Sequence, residues 1–589
     1  MKEMFSPIAN SNNGITIFKN KNKKRLFLGL FASVLLVATV IGIVASVASR
    51  KSSVGTINNG HEAAHAIVKS SCSSTLYPDL CFSTISALPA DATSTIKTTK
   101  DVIILSLNVT ESSVYQTYLK IQGLTLARRS YTPREVTALK DCLQTLSETV
   151  DEIRKVVQLL KEYPSLKNSI SEHADELKIL ISAAMTNQET CLDGFSHDRA
   201  DEKVREFFLG DERHVHRLCG NALAMIKTMT DTDMANEQAL SSSPSSERRL
   251  KEENGIEWPE WLPAGDRRLL QATTLTPNVV VAADGSGNYR TVSEAVAAAP
   301  SRSSTRYIIR IKAGVYRENV DIPSSKTNLM FVGDGRTTTI ITGSRSVVGG
   351  STTFNSATVA VNADGFLARD VTFQNTAGPS GHQAVALRVS ADLSAFYRCD
   401  MIAFQDTLYV HRLRQFYVSC IVIGTVDFIF GNAAVVFQNC DIHARRPNPG
   451  QRNMVTAQGR EDPNQNTGIV IQKCRIGATQ DLEAAKNSFQ SYLGRPWKLY
   501  SRTVIMQSQI SDIIHPAGWF MWDGTFALDT LTYREYQNTG PGANTANRVT
   551  WMGYKVMTSA SEALPYTAGN FISGGNWLSS TGFPFSLGL

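Results

Sequence analysis

The chain has 589 residues, 42% of them hydrophobic, and a net charge of +6. It is too long for one ordinary core, so three to four segments are expected. Its charge is uneven: residues 271–589 are basic by six, while residues 51–270 are acidic by a similar margin. A basic C-terminal part suits a polyanionic partner. Nucleic acid is disfavoured, because the arginines form no run and no recognised nucleic-acid fold accompanies them.

The first 25 residues form a basic tail, ending in Lys19, Lys21, Lys23, Lys24 and Arg25. Leu26 to Ser49 are uncharged and mostly apolar. That run is longer than a signal-peptide core of about 7–15 residues and long enough to span a bilayer. The basic flank leaves the N-terminus in the cytosol and sends the rest across the membrane. Small residues at 45–49 leave signal cleavage open. On either reading the remainder enters the secretory pathway, where Asn108-Val-Thr110 is a usable glycosylation sequon.

Residues 60–230 read as a helical bundle. Leu139, Leu143, Leu146, Val150, Ile153, Val157 and Leu160 alternate steps of four and three, which marks a buried stripe. Thr132-Pro-Arg-Glu135 opens that helix as a capping box with proline at its first position. Cys72 and Cys81 bracket a short loop, and Cys142 and Cys191 fall on separate predicted helices. Two disulfides suit an oxidising compartment and leave Cys219 over. His61-Glu-Ala-Ala-His65 matches a zinc-protease pattern, but no third ligand is in view and a chance match on a solvated helix end is the better reading. No metal or cofactor is expected, and His214 and His216 read as surface residues. Residues 231–271 read as a polar linker, with Ser241–Ser246 followed by Glu247-Arg-Arg-Leu250 and Asp266-Arg-Arg-Leu-Leu270. The dibasic pairs are accessible to a processing protease.

From residue 272 onward the pattern changes to short β-branched and aromatic runs bounded by Gly, Asn and Asp. Asp370, Cys399, Cys420, Cys440, Cys474 and Ser508 align as a repeat, with no amphipathic helix between them. Such a period describes a solenoid of stacked parallel strands, a β-helix. Asp406 lies seven residues after Cys399, and Asp427 seven after Cys420. The two carboxylates therefore share one register on neighbouring coils, about 4.7–4.9 Å apart along the stack. Like charges that close cannot both ionise easily, so one becomes a nucleophile or base and the other a general acid. Gln405 and Gln383 offer amide donors for an oxyanion, Arg495 offers a charge-assisted partner for one aspartate, and Trp497 offers a flat face for a sugar ring. No G-x-S-x-G elbow supports a serine esterase. Cys420 and Cys440 fall within disulfide range at one register, and Cys399 competes for Cys420.

Five motifs in order, Asp284–Val296, Gly381-His-Gln-Ala384, Gln405–Tyr409, Gly424–Asn432 and Leu493-Gly-Arg-Pro-Trp497, resemble those of plant pectin methylesterases. The resemblance implies a right-handed parallel β-helix that removes methyl esters from galacturonan in the cell wall. It implies Asp427 as nucleophile, Asp406 as proton donor and later base, and Gln405 as transition-state stabiliser. Thr353, Gln383, Arg495 and Trp497 would contact substrate, and Cys420 would pair with Cys440. The helical part, through its cysteines and Thr190-Cys-Leu-Asp-Gly-Phe195, resembles the pectin methylesterase inhibitor family. It would then be an intramolecular pro-domain. A galacturonan hydrolase or lyase on the same scaffold, and a non-catalytic binding protein, are the competing readings.

Overall fold

The computed structural model describes residues 58–126, 131–164, 169–196, 199–241 and 276–589. The basic tail, the apolar run 26–49 and both dibasic pairs of the linker lie outside them. Among the described residues no helix is long and apolar enough to cross a membrane.

The helical part begins with α1 (Asn58–Ser73) and α2 (Pro78–Ser86), tied by the Cys72–Cys81 disulfide. A ring of four helices follows: α3 (Thr99–Leu126), α4 (Pro133–Glu162), α5 (Ile170–Asp193) and α6 (Leu209–Ser241). The α4 capping box forms: Glu135 N–H donates to Thr132 Oγ1 at 3.2 Å and Thr132 N–H to Glu135 Oε2 at 2.6 Å. Its apolar stripe is buried, except that Val156 replaces Val157 in the core. An ideal helix drifts about 20° per heptad, which carries the stripe onto the neighbouring residue. Cys142–Cys191 joins α4 to α5, and Cys219 is free and buried. Asn108 is exposed on α3, while Thr110 of the same sequon is buried.

From residue 279 onward every strand pairing is parallel, in sheets of eleven, seven and eight strands that close one coil after another. This is a parallel β-helix. The seven-stranded sheet holds β1 (Val320–Ile322), β2 (Val359–Val361), β3 (Leu387–Val389), β4 (Leu408–Val410), β5 (Ile429–Gly431), β6 (Asn453–Gln458) and β7 (Ser491–Gly494). Inside the coil, equivalent residues stack. The rings of Phe396, Tyr417 and Phe437 lie nearly parallel with centroids 4.7 Å apart.

Cys399, Cys420, Cys440, Cys474 and Ser508 do share one register, but Val371, not Asp370, holds that place on the coil before. The residue ahead of each is a corner with positive φ: Asp370, Arg398, Ser419, Asn439, Lys473 and Gln507. Asp370 is such a corner, and its carboxylate points outward to Arg369 and Arg398. The expected Cys420–Cys440 disulfide is likewise corrected, because both thiols are free. The sulfurs of Cys440 and Cys474 accept from the backbone of the preceding coil: Cys420 N–H donates to Cys440 Sγ at 3.4 Å and Cys440 N–H to Cys474 Sγ at 3.3 Å. Burial pushes the thiols of Cys399, Cys420 and Cys440 well above the ordinary range, so they are inert.

Thiol titration checks this. The native chain should react with no thiol quickly, and the chain denatured without reductant should titrate five. A count of three would show a further disulfide within the ladder of Cys399, Cys420, Cys440 and Cys474.

Candidate active site

Leu408 pairs with Ile429 between β4 and β5, so Asp406 and Asp427 occupy equivalent positions two residues ahead of their strands. Asp406 N–H donates to Val426 O at 3.0 Å, which locks the two corners together. Both aspartates have positive φ, 62° and 52°. That costs on the order of 1 kcal/mol each and persists only where the surroundings enforce it. Gly431 makes the turn at the other end of β5: at φ +128°, a Cβ there would sit 2.0 Å from Val410 O.

Both carboxylates are buried, at 7% and 6% exposure, yet their partners differ. Asp427 receives both arms of one guanidinium, Arg495 Nε at 2.8 Å and Nη2 at 2.6 Å. Such a fork suits a carboxylate. Trp522 stacks under the same guanidinium at 4.3 Å, which assigns it to the site, whereas Trp519 is core and stacks on Tyr533. Asp406 has no such clamp. Burial first, then the charge of Asp427, push its pKa well above the usual carboxylate range, against a smaller pull from Arg495. Asp427 sits in the fork of a cation and its neighbour favours the proton, the division that acid–nucleophile pairs require.

A cavity of about 550 Å³ opens over this pair. Every predicted site residue lines it: Thr353, Gln383, Gln405, Asp406, Asp427, Arg495 and Trp497. Sequence reasoning missed Tyr409, Phe354 and Phe430, apolar neighbours that project from strands β4 and β5 or precede β2. Strand alternation from the aspartates was the available signal. Phe430 meets Trp497 edge-on at 6.0 Å, and Tyr409 stacks on Phe430 at 4.2 Å. The result is an apolar floor beside two carboxylates and two amides. Among the described residues no group of His, Cys, Asp and Glu can hold a metal. His65 of the zinc-protease pattern is exposed against Phe82.

The family model named Pectinesterase matches residues 278–576, and one named Plant invertase/pectin methylesterase inhibitor matches residues 66–225. The chain belongs to the pectinesterase family. It is 64% identical over 576 residues to Pectinesterase/pectinesterase inhibitor U1 of Solanum lycopersicum, covering 97% of both chains. It is 63% identical to Pectinesterase 1 of Citrus sinensis over the whole of both. Among solved structures, pectin methylesterase from carrot is 72% identical with a TM-score of 0.54, and that complete chain corresponds to 54% of this one.

In this pectinesterase the inhibitor-like bundle seats on the same cleft. Arg134, Thr190, Asp193, Gly194 and Ser196 complete the cavity wall opposite the aspartates. Gly194 lets the end of α5 approach α4, since a Cβ there would lie 3.2 Å from that of Ala138. Thr190 Oγ1 donates to Thr186 O at 2.9 Å, so its 2.7 Å contact with His411 Nε2 must be one it accepts. His411 Nδ1 then accepts from Ser390 at 2.8 Å, and Ser390 accepts from Arg388 at 2.8 Å. This chain needs a neutral imidazole, and burial beside Arg388 holds the His411 pKa well below its usual value. Arg412 pairs with Glu148 at 2.9 Å and with Glu152. Lys498 pairs with Glu189 at 2.6 Å. His216 corrects its surface assignment: it faces Glu189 at 3.9 Å within this interface, and burial lowers its pKa. His214 is exposed, as expected.

Asp406 carries a stability signature with a definite sign. Its folded pKa is raised, so its protonated form is favoured in the native state. Stability is lost as pH rises above the unfolded value of about 3.9 and levels off at the raised folded pKa. Asp406→Asn should therefore melt higher than the parent at pH 7, with the gap closing by about pH 3. Equal melting temperatures across that range would refute a raised pKa.

Proposed function

We propose that this pectinesterase hydrolyses the methyl esters of galacturonan by aspartate nucleophilic catalysis. The observation that carries the reading is the asymmetric pair, with Asp427 in the fork of Arg495 and Asp406 buried and proton-retaining beside it. The Asp427 carboxylate attacks the ester carbonyl carbon, and the carbonyl electrons move onto oxygen. Amide N–H groups of Gln405 and Gln383 stabilise that oxyanion, a contribution of about 100-fold or more per donor in sites of this kind. Collapse expels the methoxy group, which takes the Asp406 proton and leaves as methanol. Asp406, now a base, removes a proton from water. The hydroxide cleaves the acyl–enzyme anhydride, which frees the sugar carboxylate and returns Asp427. Thr353 and Trp497 hold the sugar against the apolar floor. No cofactor enters.

The bundle acts as an inhibitory pro-domain. Support comes from its placement over the cavity and from the polar contacts that hold it there. A protease that cuts within residues 231–271, after entry into the secretory pathway, would release the enzyme to the cell wall, with Asn108 open to glycosylation before that.

Residues 272–589 should release methanol from highly methylated pectin with no fall in viscosity, and Asp427→Ala should reduce the rate by at least about 1,000-fold. Chain shortening would move the assignment to glycosidic cleavage, and absence of both products would favour a binding protein. The full chain should release methanol at least tenfold more slowly than residues 272–589, by the ordinary worth of a desolvated charge-paired interface. Equal rates would leave the bundle without an inhibitory role.

A further inference from the structure

The bundle roofs the catalytic cavity without filling it. About 550 Å³ remain between the two halves of the chain, inside the range of roughly 300–1,000 Å³ that small ligands occupy. The catalytic pair within it is intact. Arg495 holds Asp427 in its fork at 2.8 and 2.6 Å, and the charges that act on Asp406 are those of Asp427 and Arg495, both of the β-helix. The polar side chains that the bundle adds to the wall are anchored elsewhere: Arg134 to Asp201 at 3.2 Å, Thr190 to His411 at 2.7 Å and Ser196 to Asp193 O at 2.7 Å.

The cavity is open on one side and shut on another. Ser196, Val348 and His382 line it and are exposed, so that rim meets solvent. Where Thr190, Asp193, Tyr409 and Trp497 continue the seam, the space narrows to about 10 Å³ between Glu189, His216, Asn432, Glu461 and Lys498, room for about one water. A short sugar chain can enter by the rim. An ester in the interior of a polymer needs the chain to leave the cavity on both sides of it, and toward Lys498 the bundle closes that path. We propose that the full chain is itself an esterase for short methyl-esterified galacturonides and for polymer ends, and that the bundle shuts out interior esters while leaving the catalytic pair armed. Inhibition is then set by substrate length. This inference rests on the esterase reading above, and each turnover converts one ester and one water to one carboxylate and one methanol by the same steps.

The test compares the full chain with residues 272–589, which correspond in extent to the complete carrot chain. Methanol release per ester is measured on fully methylated galacturonides graded by length, from the shortest that residues 272–589 cleave up to the polymer. On the shortest the two forms should agree in kcat/KM within about threefold. The advantage of residues 272–589 should then grow with length, to at least about tenfold on the polymer. Asp427→Ala in the full chain should abolish release from the short ester, which places that activity in the same cavity. An advantage that is the same at every length overturns the proposal, because a bundle that must lift away before any ester reaches Asp427 slows all of them alike. An advantage of one throughout would remove the inhibitory role of the bundle with it. Release from the short ester that survives Asp427→Ala also overturns the proposal. Methanol from neither form on any substrate would instead remove the esterase reading itself.

Discussion

The in-register stacking of one coil upon the next is the constraint on which the remaining structure depends. Backbone bonds such as Asp406 N–H to Val426 O fix neighbouring coils at a single spacing and a single phase. A side chain can then be positioned against its counterpart without any loop having to be designed for the purpose. Two aspartates at equivalent corners meet because the ladder permits no other arrangement. The ladder also meets the cost, since two buried carboxyl groups with positive φ would relax apart on a softer scaffold. Arg495 reaches them from the end of β7, two coils beyond Asp427, for the same reason.

The same geometry explains how the two halves of the chain fit. The cleft side of the β-helix offers Arg388, Arg412, Lys498 and a neutral His411 at the sheet that carries the aspartates. The bundle answers with Glu148, Glu152, Glu189, Asp193 and the hydroxyl of Thr190. Acidic meets basic, in the sense that the uneven charge of the sequence implied. One buried apolar cluster runs from the bundle onto the outer face of the β-helix, where Leu413, Phe416 and Val436 belong to it, so the seam joins an apolar part to the polar contacts of the cleft.

Much of the fold was legible because the β-helix repeats its inward residues. Cys399, Cys420, Cys440 and Cys474 announce the ladder through spacing alone, and the seven-residue offset of Asp406 and Asp427 follows from it. The slip at Asp370 has a definite origin. Corner residues carry the left-handed conformation, yet here they are Asp, Arg, Ser, Asn, Lys and Gln, so no glycine marks the phase. The disulfide failed for another reason: proximity allows a bridge, but the Cys420 thiol donates to the carbonyls of Phe396 and Val418 and the Cys440 sulfur accepts from the Cys420 backbone. His216 was misread because its burial is created by a domain some 250 residues away in sequence, which no local pattern records. Trp522 and Tyr409 reach the site from turns and strand faces whose direction only the register reveals.

The seam has a kinetic meaning. Because both halves belong to one chain, the bundle meets the cleft at an effective concentration on the order of millimolar, whatever the dilution outside. Contacts of moderate strength are enough to keep it seated under that condition. Were the connection between them severed, the same contacts would have to compete with bulk dilution and with a polyanion present at high density. The ion pairs and hydroxyls at the cleft are the contacts open to that competition, while the apolar cluster shared by the two halves is not.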